Sequence, residues 1–225
     1  MRLAVIADVH SNLHALNAVV AKVREARPDL VVCAGDVVGY GAFPNECCDA
    51  VRELAEHVVL GNHDLSALKR DTSFMNPYAA KALVWTADHL SEKSRIWLQS
   101  LNEEARFTAS ELRVSMYHGS VESYTEYVYE VDAKESMLAR ARCDVLLLGH
   151  THVPYLKRFK TGIILNPGSI GQPMDGDPRA SHAILDTETM DCRIVRTEYD
   201  VAKAADAICN AGLPDYLQER LFMGR

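Results

Sequence analysis

The chain has 225 residues, of which 48% are hydrophobic and 24% charged, with a formal net charge of −7. That length suits one large globular domain or two small ones, and no apolar run approaches the ~18 residues that span a membrane. The acidic balance, with no basic run, excludes a protein that tracks an extended nucleic acid, because nothing could neutralise a row of phosphates.

Residues 2–7 predict a short apolar strand that stops at Asp8-Val9-His10-Ser11-Asn12. Ser11 or Asn12 can cap the next helix, whose Leu13, Leu16, Val20 and Val23 recur at spacings of three and four. After Arg27-Pro28 a second strand, 29–34, stops at Gly35-Asp36. Such a β-α-β unit makes its strands parallel neighbours, and ligands of such sheets gather at the carboxyl ends of strands. Asp8, His10 and Asp36 lie there. A helix from Pro44 to Glu56 leads to a third strand, 57–60, which stops at Gly61-Asn62-His63-Asp64. His57 begins that strand at its far end and reads as structural.

Residues 65–102 read as helical, broken near Asn76-Pro77 and Ser91. We take them as a cap-like insertion within a single domain spanning 1–225, with Leu83, Leu90, Trp97 and Leu101 packed on the core and His89 at the surface. Runs 105–109 and 112–117 predict a hairpin ending at His118-Gly119. The acidic, aromatic loop 121–131 carries Tyr124, Tyr127 and Tyr129, and reads as a surface loop ahead of a cleft wall. Asp132 is expected to cap a helix running to Arg142. The apolar strand 144–148 then stops at Gly149 and presents His150 and His152. A further strand ends in Asn166-Pro167-Gly168-Ser169, and the Gly/Pro-rich loop 171–180 follows. A closing strand pair, 181–186 and 192–199, holds His182 as a packed structural histidine. Two helical patterns split at 212–214 finish the chain, and Leu213, Leu217, Leu221 and Phe222 either close the core or face a second copy in a homo-oligomer.

The six cysteines, 33, 47, 48, 143, 192 and 209, form no C-x-x-C pair. Reduced, mostly buried thiols follow, and with no charged leader before the first strand a cytoplasmic protein is expected.

Asp8, His10, Asp36, Asn62, His63, His118, His150 and His152 all occur where an apolar strand stops. Imidazoles and carboxylates without cysteine suit catalytic divalent ions such as Mn, Fe, Co, Ni or Zn rather than a structural zinc. Two such ions about 3.5–4 Å apart need a bridging anion, which one aspartate can supply beside a hydroxide.

At these residues the chain resembles the calcineurin-like metallophosphoesterases, whose pattern is D-x-H, G-D, G-N-H-D/E, a lone H, then G-H-x-H. The blocks here are Asp8-x-His10, Gly35-Asp36, Gly61-Asn62-His63-Asp64, His118 and Gly149-His150-Thr151-His152. His10-Ser11-Asn12 and the stretch from Asn166 to Pro173 look like the small prokaryotic phosphodiesterase branch. The resemblance implies an α/β fold, a four-layer α/β/β/α sandwich of two mixed sheets. It implies one ion on Asp8, His10 and His152, a second on Asn62, His118 and His150, and Asp36 bridging. His118 is preferred over His89 as the lone histidine because it ends a strand before Gly119. His63 would contact the phosphate and protonate the leaving oxygen, Asp64 would orient His63, and a bridging hydroxide would attack phosphorus in line.

Two further residues are candidates for substrate binding. Asn12 is either a helix cap or a donor to phosphate, and Arg179 either an exposed loop arginine or a phosphate ligand. The implied substrate is a small-molecule or nucleotide phosphodiester. The alternatives are a phosphomonoesterase or protein phosphatase, a nuclease acting on a short end, and a non-catalytic metal-binding scaffold on the same fold. Substrate choice is expected to lie in 65–102, 121–131 and 171–180.

Overall fold

The computed structural model describes every residue except Phe74. Among the described residues, ten strands make two sheets of five. Numbered along the chain, the first sheet contains β1 (Arg2–Ile6), β2 (Leu30–Cys33), β3 (His57–Val58), β9 (Ala180–Asp186) and β10 (Cys192–Thr197), in the order β10-β9-β1-β2-β3. Strands β1, β2 and β3 are parallel, and β9 runs against β1 and β10. The second sheet contains β4 (Glu104–Ala109), β5 (Leu112–Tyr117), β6 (Val145–Leu147), β7 (Tyr155–Arg158) and β8 (Ile163–Asn166), in the order β4-β5-β6-β8-β7. Its middle strands β5, β6 and β8 are parallel and both edges antiparallel.

The sheets pack face to face. Leu3, Val5, Leu30 and Val32 of the first meet Val114, Met116, Val145, Leu147, Ile163 and Leu165 of the second. The alternate residues Ala4, Ile6, Val31 and Cys33 point outward against α1 (Leu13–Ala26) and α2 (Pro44–Leu54). Strands covered on both faces must be apolar at every position, which is why they appear in the sequence as unbroken runs rather than alternations. On the outer face of the second sheet, Leu146 and Ile164 pack on Leu138 of α6 (Glu135–Ala141). The result is the expected four-layer sandwich.

Helices α3 (Asn62–Lys69), α4 (Pro77–His89) and α5 (Glu92–Gln99) join the outer layer of the first sheet, where Leu83, Leu90 and Leu98 are buried in one cluster with α1 and α2. His89 is exposed and stacks on Trp85. Helices α7 (Val201–Asn210) and α8 (Asp215–Met223) form a separate cluster in which Leu213, Leu217 and Leu221 are buried with Ala82, while Phe222 is exposed. All six cysteines are free, four of them buried and Cys209 exposed. Among the described residues, no helix is long and apolar enough to cross a membrane.

Two expected helix starts move. The helix after the tyrosine loop starts at Glu135 with Lys134 at its N-cap, so Asp132 does not cap it. Helix α3 starts at Asn62 rather than after Asp64. Gly61 is extended at its N-cap, and the Asp64 carboxylate accepts the Gly61 N–H at 3.0 Å, so the third motif block is the first turn of a helix.

His182 is buried in β9, its Nδ1 has no hydrogen-bond partner, and burial lowers its pKa to about 4. The folded state therefore holds it neutral while the unfolded chain protonates below the ordinary value near 6.5. Stability from this residue is intact above that value and is lost as pH falls toward 4. Denaturant melts at pH 7.5 and pH 5 should show His182→Leu losing about 2 kcal/mol less than wild type over that interval.

Candidate metal centre

The carboxyl ends of the parallel strands in both sheets face one rim, and every motif block lies on it. Asp8 follows β1, Asp36 follows β2, Asn62 and His63 follow β3, His118 follows β5, and His150 and His152 follow β6. To turn inward, the chain leaves each strand sharply. Asp8, His10, Asp36, His150 and His152 take φ values of 53°, 48°, 53°, 67° and 58°. Such left-handed non-glycine residues cost of order 1–3 kcal/mol each and persist where surrounding contacts over-determine them. Here the backbone is tied from chain to chain: His10 N donates to Asp36 O at 3.0 Å, His150 N to Asp8 Oδ2 at 3.1 Å, and Ser169 Oγ to the Asp8 carbonyl at 2.7 Å. Asn166 Nδ2 donates to the Gly149 carbonyl at 2.7 Å, bracing the turn that carries both histidines.

The imidazoles of His10, His118, His150 and His152 are each oriented by a backbone carbonyl. His10 Nδ1 donates to Val38 O (3.2 Å), His118 Nδ1 to Ala34 O (2.8 Å) and His152 Nδ1 to Gln172 O (2.6 Å). With those protons committed, the three Nε2 lone pairs point into the site. His150 is held the other way round, its Nε2 to Thr125 O at 3.2 Å, which leaves Nδ1 to face inward.

The donors fall into two groups whose ligand atoms lie within 4.8 Å of one another: Asp8, His10, Asp36 and His152, and then Asp36, His118 and His150. Asp36 belongs to both. Its Oδ1 accepts the His63 N–H at 2.8 Å, while its buried Oδ2 has no hydrogen-bond partner and lies 3.5 Å from His10 Nε2 and 3.3 Å from His118 Nε2. Asn62 Oδ1 sits 2.9 Å from His118 Nε2, joining the second group.

This donor set fits divalent cations. His10 Nε2 and His152 Nε2 approach to 3.0 Å, and with both Nδ1 protons committed to carbonyls, two lone pairs would face each other unless a positive charge lay against them. Electrostatics point the same way. Burial lowers His10 well below its ordinary value and His150 to about 4. Burial pushes His118 down, yet the charge and hydrogen bonding of Asp36, the charge of Asp8 and the Ala34 carbonyl together outweigh it and raise His118 to about 9. The cluster demands cationic charge next to Asp36.

His63 stands beside the cluster and belongs to neither donor group. Its ring lies 4.8 Å from that of His10, and Nδ1 is buried with no hydrogen-bond partner. Asp64 makes no hydrogen bond to the His63 ring. Its two oxygens accept from Gly61 N and Val38 N, so it fixes the turn that carries His63 and the segment after Asp36 whose Val38 carbonyl accepts from His10. Burial and the charge of Asp36 raise Asp64 to about 7.

Asn12 caps α1 through Ala15 N (3.1 Å) and donates to the Gly171 carbonyl at 3.0 Å, so both ends of its amide are engaged. Arg179 pairs with Asp177 on an exposed loop, and none of its side-chain hydrogen bonds reaches the cluster. Tyr40, which the sequence did not single out, and Tyr127 of the tyrosine loop complete the site. Tyr40, at φ 43°, packs its ring 4.6 Å from both His10 and His63. Tyr127 stacks on His150 at 4.0 Å, which brings the 121–131 loop to the centre as a wall rather than a remote surface loop. Glycine is required at Gly61, where a Cβ would fall on the Asp36 carboxylate. Gly61→Ala should destabilise the protein by about 1–3 kcal/mol in denaturant melts and weaken metal retention with it.

The calcineurin-like phosphoesterase superfamily domain matches residues 1–190, so the chain belongs to that family, and all five motif blocks lie inside the match. A metallophosphoesterase from Sphaerobacter thermophilus superposes with a TM-score of 0.86 at 34% identity, over 100% of this chain and 99% of that one. An uncharacterised protein of Methanocaldococcus jannaschii is 35% identical, across 99% of this chain and 98% of its own length. The phosphodiesterase YfcE of Escherichia coli K12 is 24% identical, across 91% of this chain and 98% of its own length.

Proposed function

We propose that the chain is a dinuclear metal-dependent phosphodiesterase acting on a small-molecule or nucleotide phosphoester, built as a single domain over 1–225 and working in the cytoplasm. The observation that carries the reading is Asp36, whose bare Oδ2 lies between the two donor groups. On this reading Asp8, His10 and His152 would hold one ion, Asn62, His118 and His150 would hold the other, and Asp36 would serve both. Bound divalent ions supply a nucleophile from water near neutral pH and charge stabilisation for the phosphoryl oxygens.

The protein's own groups do the rest. The carbonyls of Val38, Ala34 and Gln172 fix which nitrogen of each ring is free. His63 contacts the phosphate and delivers a proton to the leaving oxygen. Burial lowers the pKa of His63 in the free protein. An arriving phosphodiester anion raises it again, so the ring gains its proton as substrate binds. Retention of His63 beside a full ligand set favours an enzyme over a scaffold.

The test is hydrolysis of a chromogenic phosphodiester and its matching monoester by protein stripped of metal and then given Mn, Ni, Zn or Mg. Turnover of the diester that depends on added metal is expected. Turnover of the monoester alone would replace the reading with a phosphatase, and none with either, despite two bound ions, would move it toward a scaffold.

A further inference from the structure

Helix α3 begins at the candidate ligand Asn62 and presents Leu65, Ser66 and Lys69 on the same face, at spacings of three, four and seven. That face forms one side of a cavity of about 430 Å³, which also touches His150 and so opens directly on the second donor group. Tyr124, Thr125 and Tyr127 of the 121–131 loop also line it, and Met75 contributes from the connection before α4. A larger cavity of about 520 Å³, lined by Arg52, His57, Trp97 and Arg106 among others, touches none of the candidate ligands.

The chemistry of the walls is specific. Leu65 and Met75 are only half-buried, and Tyr127 is 55% exposed, so three large apolar groups face open space beside a polar centre. Met75 also packs on the core beside the first sheet, whereas Leu65 and Tyr127 belong to none of the core clusters. The two charges at the rim, Lys69 and Asp71, are near enough to influence each other, and their opposite signs leave the cavity without a strong preference for net charge. Aliphatic side chains and tyrosine rings together favour a flat ring over a flexible alkyl chain or a second anion.

We infer that this cavity is the subsite for the organic group of the substrate, and that it takes a planar aromatic ring of nucleobase size lying against Leu65, Met75, Tyr124 and Tyr127. This rests on the phosphodiesterase reading for what happens at the centre, but the selection of a ring can be measured without turnover. Tyr127 and Leu65 are then specificity-determining residues.

The experiment compares phenylphosphonate with methylphosphonate, which share a phosphonate head and differ in the ring. Each is titrated by calorimetry into the Mn-restored protein, wild type, Leu65→Asn and Tyr127→Ala. Wild type should bind phenylphosphonate about tenfold more tightly, and the ratio should fall below about threefold in each variant. Because Tyr127 also stacks on His150, a purely structural defect would weaken both phosphonates together and leave the ratio unchanged. Equal affinities in wild type, no binding of either, or a ratio that survives both substitutions would overturn the inference. If the ring preference appears and is lost as expected while no diester is hydrolysed with any metal, the subsite stands and the phosphodiesterase reading falls.

Discussion

Asp36→Asn should lower kcat/KM for a phosphodiester by at least about a thousandfold while leaving the fold intact. Asparagine keeps the shape of the side chain and an oxygen to accept the His63 N–H. It removes the one negative charge common to both donor groups. Without that charge each group is left with mostly neutral nitrogens, and the remaining carboxylate, Asp8, belongs to the first group alone. Metal analysis after gel filtration should therefore fall from two ions per chain to one or none, and the circular dichroism spectrum should not change. A variant that kept two ions and full turnover would show that Asp36 is not the shared ligand. One that kept two ions but lost turnover would confine its role to chemistry rather than assembly.

The contrast between Asp36 and Tyr127 shows what the sequence could reveal. Asp36 was legible because an apolar run stops at a glycine and a carboxylate. Strands covered on both faces must be apolar throughout, so the point where they end is sharply marked, and five blocks end the same way. Local grammar of this kind also marks Asn12 as a cap, since a cap acts on residues three positions away. It did not mark the start of α3, because Gly61-Asn62-His63-Asp64 matches both a strand-end loop and a first helical turn. The Asp64 bond to Gly61 N was the available signal, an acidic residue three places after an extended glycine. The contacts that Tyr40, Thr125 and Tyr127 make with the site histidines were out of reach for a different reason. Tyr40 meets a histidine 30 residues before it and another 23 after it. Thr125 accepts from a ring 25 residues away, and no periodicity relates them. The same holds for Val38, Ala34 and Gln172, whose contribution is a carbonyl and is therefore independent of side-chain identity.

Replacing His63 by asparagine tests the protein's own part in bond breaking, and the size of the effect should depend on the leaving group. A weakly basic leaving group such as p-nitrophenolate departs with little help, so the loss there should be modest, about tenfold or less. An alkyl or sugar alkoxide must be protonated as it leaves, and removal of the general acid should cost about 10²–10⁴ in kcat. The position of His63 makes this separation clean. Its backbone N–H is held by Asp36 Oδ1, and its ring packs on His10 and Tyr40 without joining either donor group. Asparagine preserves the backbone donor, so metal content should stay at the wild-type level. A plot of log kcat against leaving-group pKa would then be steeper for the variant than for wild type. Parallel plots would show that His63 only binds the phosphate. Loss of metal together with activity would mean that the ring supports the ligands rather than the departing oxygen, and the acid would have to be sought elsewhere, first at Tyr40, whose ring lies against both His10 and His63.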